Sequence, residues 1–465
     1  MSQRILFLTG HLARPRLEAV LRGMAPTPFE WAILDVGVKV AALMTEPILM
    51  RRLPRPLNAE RVLLPGRCRA DLERLTLEFG APFERGPDEL KDLPAYFGKT
   101  GAALDLSGRS VRIFAEIVDA SQMTIETLLL SASALKGAGA DVIDLGCLPD
   151  TPFPHLEDAV RGLKTKGFAV SVDSADPEDL RRGGAAGADF LLSLTENSLS
   201  IAAETGARPV LIPAEHGDLA SLCRAAAAAA QRGLAVILDP VLDPIHFGLA
   251  DSLARYYQIR ARLPEAELMM GTGNLTELTD ADSVGVTALL MGICSELRIA
   301  NVLTVQVSPH TRRTIQEHDA ARRIMYAAAK DVSLPKGYGR ALLQIHDRSP
   351  FPNSSGEIAG FASEVRDAAF RIEVAEDGIH VYNRDGHHVA EEALELFDKL
   401  NVRSDGAHAF YLGAELMKAE IAYRLGKRYV QDEPLDWGCA VDRRAEDETR
   451  LSAAGHTLRA RKAGG

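Results

Sequence analysis

The middle of this 465-residue chain carries eight short apolar runs, and each ends in residues able to do chemistry. In chain order the ends offer Glu116 and Asp119, Asp144, Asp173, Glu196 and Asn197, Glu215, Asp239, Asn274, and finally His310 and Arg312. A single acid in such a place is ordinarily a helix cap, and Asp144-Leu145-Gly146 and Asp239-Pro240 sit where caps are expected. A whole ring of polar ends on an apolar framework is costly unless the groups bind something. Carboxylates accept paired hydrogen bonds from a guanidine-like edge, and an Asn carboxamide both donates and accepts. The set therefore suits a flat, amide-like heterocycle. The acids of the first run could also hold Mg²⁺, which takes oxygen ligands and bridges phosphates. His310 and Arg312 could receive an anion.

Those ends need elements to position them. The runs are "RIFAEIVD" (112–119), "DVIDLG" (141–146), "AVSVDS" (169–174), "DFLLSLTEN" (189–197), "PVLIPAE" (209–215), "AVILDP" (235–240), "LMMGTGN" (268–274) and "NVLTVQVSPH" (301–310). Helical periodicity fills 124–137, 155–166, 176–185, 218–232, 249–262, 281–298 and 314–330, with a brief connection after 197. Strands alternating with helices imply a parallel sheet with right-handed crossovers. Eight such units predict a central (β/α)₈ TIM barrel over 105–345, with the polar ends gathered at its C-terminal rim. A doubly wound open sheet is the competing arrangement.

Residues 1–98 alternate strand-like stretches at 4–10, 29–37 and 59–66 with helical ones, and predict a small open α/β (flavodoxin- or Rossmann-like) domain. Thr9-Gly10-His11, after its first strand, reads as a plain βα turn. Residues 99–110 are polar and Gly-rich, a linker. Beyond about 346 an α+β C-terminal domain is expected to 445. It has a hairpin at 370–390, helices near 391–400 and 407–425, and a disordered tail at 446–465. His387-His388 falls on the hairpin surface, and Glu415 with Lys418 reads as a solvated pair. Lys336 and Arg340, in the Gly-rich "PKGYGR", are further candidates for a phosphate.

Composition narrows the partners. A net charge of −11 argues against nucleic acid or an anionic membrane surface. Five scattered cysteines, without a CxxC pair, indicate neither a disulfide framework nor a zinc site. No segment reads as a signal peptide or reaches the ~18 apolar residues of a membrane span, so a reducing cytoplasm is the expected setting.

The ordered set "DVIDLG", "AVSVDS", "AVILDP" and "VSPHTR" resembles the strand ends of dihydropteroate synthase-like pterin-binding barrels. With the N-terminal domain and "LGAELMKAEIAYRLGKRYVQDEPLDWG" (412–438), the whole chain resembles the dihydropteroate synthase-related proteins of methanogens and of methylotrophs that use tetrahydromethanopterin. The resemblance implies that Asp173, Asn197 and Asp239 bind the pterin. It puts Asp119 where the synthases place an Asn near the metal and diphosphate, and it matches His310 and Arg312, in reversed order, to an Arg-x-His pair. Two departures stand out. The Ser-x-Lys of folate-pathway synthases is replaced by Gly271-Thr272-Gly273-Asn274, closer to the Gly-x-x-Asn of pterin-binding methyltransferase domains. "NVTPDSF" is replaced by "DASQMTIE" (119–126).

The activity so implied joins a hydroxymethyl-dihydropterin diphosphate to an arylamine, with release of pyrophosphate and with Mg²⁺ as cofactor. For the tetrahydromethanopterin route the amine is 4-(β-D-ribofuranosyl)aminobenzene 5′-phosphate. Asp173, Asp239 and Asn274 are the expected catalytic residues. Asn197, Glu116, Asp144, Glu215, His310 and Arg312 are expected to bind substrate, Asp119 to hold the metal, and the protein to form a homodimer. The alternative is a pterin-binding module, non-catalytic or serving a methyltransferase.

Overall fold

A computed structural model describes residues 3–88, 90–99, 105–148 and 151–442. The expected tail and residues 100–104 of the expected linker lie outside these. The chain forms two compact units, residues 1–339 and 340–465. Among the described residues no helix is long and apolar enough to cross a membrane.

The first unit opens with a parallel sheet of β1 (Gln3–Thr9), β2 (Phe29–Asp35), β3 (Arg61–Leu64) and β4 (Phe83–Arg85), ordered β2-β1-β3-β4. β4, the helix Glu46–Arg52 and the two-faced core are additions to the sequence reading. Leu6, Leu8, Val62 and Leu64 face one layer, while Ile5, Phe7 and Leu63 face the other, as period-2 strands buried on both sides require.

The barrel follows: β5 (Arg112–Ile117), β6 (Val142–Gly146), β7 (Ala169–Asp173), β8 (Phe190–Leu194), β9 (Arg208–Leu211), β10 (Ile237–Leu238), β11 (Met269–Gly271) and β12 (Asn301–Thr304). The sheet order β10-β9-β8-β7-β6-β5-β12-β11 is closed by a parallel bridge between Leu238 and Leu268. The (β/α)₈ barrel is thus the fold, and the open doubly wound sheet is excluded.

Several strands stop short of the predicted runs. β8 ends at Leu194 rather than 197, β10 at Leu238 rather than 240, β11 at Gly271 rather than 274 and β12 at Thr304 rather than 310. The polar residues beyond these points leave the ladder and turn into loops, and residues 273–276 form one helical turn.

Inside the barrel, Phe114, Val142, Phe190, Leu192, Ile237 and Met269 make an apolar plug. Below it, at the strands' N-terminal ends, Arg112 donates to Asn301 Oδ1 at 2.9 Å and pairs with Glu267, which Arg208 also binds at 2.7 Å. Arg322, on the last barrel helix Thr314–Lys330, is fully buried against Asp141, Asp319 and the carbonyls of Val111 and Gly139. It clamps that helix to the start of the sheet.

In the second unit, residues 370–390 form a three-stranded antiparallel sheet rather than a single hairpin: β13 (Arg371–Ala375), β14 (Gly378–Asn383) and β15 (Gly386–Ala390). Asp-Gly occurs twice, at 377–378 and 385–386, each Asp closing a two-residue turn (376–377 and 384–385) and each Gly opening the next strand. A helix Ser355–Glu364, unread in the sequence, is announced by a Ser354/Glu357 capping box. The helix Gly406–Leu425 ends on left-handed Gly426. The expected pair of Glu415 with Lys418 forms, at 2.5 Å, but it is not solvated on its acidic side: Glu415 is buried and also accepts from Tyr429 Oη at 2.7 Å. His387 is half-buried, its ring stacked on the buried His380.

Candidate functional site

Along each barrel strand, positions two apart share a face. The phase that buries Phe114 therefore turns Glu116 inward, that of Val142 turns Asp144, and that of Ala169 turns Ser171 and Asp173. The phase of Ile237 leads to Asp239, just past its strand. Glu116 pairs with Asp144 across β5–β6, Asp144 with Ser171 and Gly146 with Asp173 across β6–β7. The result is a layer of carboxyl groups lying directly on the apolar plug.

Three of its four members, Asp144, Asp173 and Asp239, are held by hydrogen bonds. Ser171 Oγ donates to Asp144 Oδ1 at 2.5 Å, while Asp144 Oδ2 is buried with no hydrogen-bond partner. Ser193 Oγ donates to Asp173 Oδ1 at 2.7 Å. Ser193 is placed to do so by an irregular stretch of β8, with the register shifting between Leu191 and Leu194 and φ at Ser193 of 70°. Asp239 Oδ1 accepts from Tyr256 Oη at 2.7 Å and from Val241 N at 2.8 Å, an Asx turn that holds the β-branched Val241 at φ 68°. That strain is tolerated because the surroundings over-determine it.

Burial dominates the electrostatics. It raises the Glu116 carboxyl to about 7, with the charge of Asp173 adding to the effect. Asp144 is pushed well above the usual carboxylate range by burial, then by Asp173 and Glu116, with Ser171 opposing. Asp173 is raised by burial against the bond from Ser193. Asp239 rises to about 6 through burial, while Tyr256, Val241 and Arg255 pull it back. Carboxyls this close in low dielectric cannot all ionise together, so the layer stores protons at neutral pH. An incoming group rich in N–H donors would satisfy the vacant oxygen and let protons leave.

The remaining predicted residues occupy the rim but not this layer. Asn197 and Glu215 are exposed on turns. Asn274 is exposed, and its Nδ2 donates to the Leu242 carbonyl at 2.8 Å, so the carboxamide ties the seventh rim loop to the sixth. The nearby Glu277 is also a brace, accepting from Val307 N, Ser308 N and Thr311 Oγ1. His310 Nε2 meets the Thr276 carbonyl at 3.1 Å, and Arg312 is exposed beside it. Asp119 is exposed before the short turn Ala120–Gln122. Among the described residues no group of three or more His, Cys, Asp or Glu is placed to hold a metal ion. Asp119 offers one carboxylate, and Mg²⁺ there would depend on water and substrate oxygens for its other ligands.

Sequence reasoning missed the second row behind the layer. Asp243 is buried, paired with Arg255 at 2.7 Å and with His216 at 2.9 Å, and Arg255 also donates to the Val241 carbonyl at 2.8 Å. The repeated Asp-Pro of "DPVLDP" was the one available signal.

Two family models match parts of the chain. One, described as a family of unknown function (DUF6513), covers residues 3–88; the other, described as PterinBD-DUF4346, covers residues 369–432. An uncharacterized protein of Methanocaldococcus jannaschii is 25% identical over 92% of this chain and 98% of its own length. Among solved structures, dihydropteroate synthase of Yersinia pestis is 21% identical, covering 49% of this chain and 95% of its own, with a TM-score of 0.36. Dihydropteroate synthase of Thermus thermophilus is 21% identical, covering 49% and 96%, with a TM-score of 0.37.

Proposed function

We propose that the barrel mouth binds a pterin and that the chain carries out a dihydropteroate synthase-like condensation on it. The observation that carries the reading is the carboxyl layer of half-buried Glu116 and Asp173 and buried Asp144 and Asp239, with Asp144 Oδ2 left without a partner. A pterin presents an amino group and ring N–H on one edge, the donor pattern that such a layer lacks. Its flat body matches a site floored by Phe114 and Leu192. The strand-end motifs agree with this choice of heterocycle, and the family model named for pterin binding matches the same chain outside the barrel, at residues 369–432.

In this reading the methylene of a hydroxymethyl-dihydropterin diphosphate is turned outward from the layer toward an arylamine. The C–N bond forms as the C–O bond breaks; pyrophosphate leaves with the bonding pair, and the amine nitrogen loses a proton. Asp173 and Asp239 hold the ring and stabilise the cationic character that develops on it. Arg312 is the exposed cation at the eighth strand's end, where a departing anion would sit; Mg²⁺ beside Asp119 would supply further charge neutralisation. The proposed amine is the ribofuranosylaminobenzene phosphate of tetrahydromethanopterin synthesis.

The test offers the purified protein, with Mg²⁺ and the dihydropterin diphosphate, either p-aminobenzoate or the ribofuranosylaminobenzene phosphate, and weighs the products by mass. Condensation with the second amine alone supports the full reading. Pterin binding without product from either leaves a pterin-binding module. If Asp239→Asn binds the pterin like the parent protein, the placement of the ring is wrong.

A further inference from the structure

A second cavity shares no lining residue with the carboxyl layer. It encloses about 730 Å³ at the carboxyl ends of β1, β3 and β4, where Thr9, Leu64 and Gly86 line it. In the order β2-β1-β3-β4 the chain leaves β1 toward one edge and later enters β3 on the other side. Open parallel sheets form a crevice at that reversal, outside the strand ends, and ligands bind there. Here the crevice is roofed by Lys330, Asp331, Lys336 and Tyr338, from the end of the last barrel helix and the segment after it. Barrel helices run antiparallel to their strands, so this end of the helix lies at the barrel's bottom, opposite the rim.

The roof is fastened. Arg16 pairs with Asp331, its guanidinium lies 5.7 Å from the centre of the Tyr338 ring, and Tyr338 Oη donates to Asp331 Oδ2 at 2.7 Å. Tyr338 is itself buried. Those charges neutralise one another. Of the acids around the cavity, Asp88 pairs with Arg67 at 3.7 Å and Asp105 accepts from Ser107 N and Oγ, at 2.9 and 2.6 Å; Asp92 is the fourth. Lys39, Lys330 and Lys336 are exposed on the cavity wall, and no ion pair engages them among the described residues. Lys330 acts on Asp105 only through space. Beside them Leu12, Val40 and Leu334 stand apolar and exposed. The walls therefore combine an apolar interior with ammonium groups outside any ion pair, in a volume typical of small-molecule sites.

We propose that this crevice is a second ligand site, independent of the barrel mouth, for a phosphate monoester carrying an aromatic ring. The ring enters between the strand ends and Tyr338, and the phosphate is met by Lys330 and Lys336 from the roof and Lys39 from the loop after β2. A nucleoside monophosphate and a simpler aryl phosphate share that chemistry.

Calorimetric titration of the full chain with AMP, phenyl phosphate and inorganic phosphate, each separately, tests it. Saturable binding of either aromatic phosphate, tighter than that of inorganic phosphate, is expected, and which of the two binds better identifies the class. The double variant Lys330→Ala/Lys336→Ala, made only at exposed positions, should weaken that binding about tenfold or more, as loss of charge-assisted contacts does. Asp239→Asn should leave it unchanged even if the pterin reading fails. No saturable binding of either aromatic phosphate overturns the proposal. So does binding that survives the double lysine variant or disappears with Asp239→Asn.

Discussion

The carboxylate of Glu116 fills the space that a side chain at residue 146 would need: its Oε1 lies 2.5 Å from where a Cβ on Gly146 would stand. Gly146 closes β6 next to Asp173 of β7, so one missing methyl group lets the carboxyls of three strands crowd together. The obstructing atom is the free end of a flexible side chain, so Gly146→Ala should fold and displace Glu116 instead. We expect thermal stability to change by less than about 3 °C. Pterin affinity should fall about tenfold, read by calorimetry. Unaltered affinity would detach Glu116 from the ligand.

Proton storage in the layer predicts a pH-dependent fold. The Glu116 carboxyl goes from an ordinary 4.5 to about 7 on folding. Between those values the native chain keeps a proton that the unfolded chain has lost, so stability declines as pH rises through the window and the loss is complete above it. Asp239, raised from 3.8 to about 6, contributes in the same sense over a lower range. Melting temperature followed across this span should drop in the parent protein and drop less steeply in Glu116→Gln. Parallel curves would show that Glu116 ionises normally.

Tyr256 is fully buried, with its hydroxyl on Asp239. Tyr256→Phe removes the largest of the influences that oppose burial at that carboxyl. The expected cost is about 1–2 kcal/mol in urea unfolding. Asp239 should also titrate higher, moving the pH midpoint of pterin binding upward. Destabilisation without a moved midpoint would make the bond purely structural.

Arg322 offers a contrast remote from the rim. Arg322→Met should cost about 3–5 kcal/mol, because Asp141 and Asp319 lose a buried counter-charge. Arg322→Lys should recover only part of this, since an ammonium cannot reproduce the guanidinium fork that reaches two carboxylates and two carbonyls. Chemical denaturation of both variants decides it; equal stability of the lysine variant and the parent would contradict the clamp.

Much of this was legible in the chain itself. Alternating apolar runs and helical periods announced the barrel, and acids at the ends of those runs marked its rim, because a strand buried on both faces has no reason to finish in a carboxylate unless something answers it. Within a strand the two-residue period, once the barrel's inner face is known, places Glu116, Asp144 and Asp173 on it. Past the last ladder bond that period lapses. Asn197, Glu215 and Asp119 looked equivalent to Asp239 as letters in the sequence, yet three are exposed and one is buried under Tyr256. Their directions are set by partners far along the chain: Tyr256 for Asp239, the Leu242 carbonyl for Asn274, Thr276 for His310. The same holds for Glu415, whose helical spacing gave the pair with Lys418 but not its burial beneath Tyr429. Local periodicity determined which residues could face inward; the tertiary structure decided which carboxyls lost their water, because desolvation depends on what packs on top of a group and not on its neighbours in sequence.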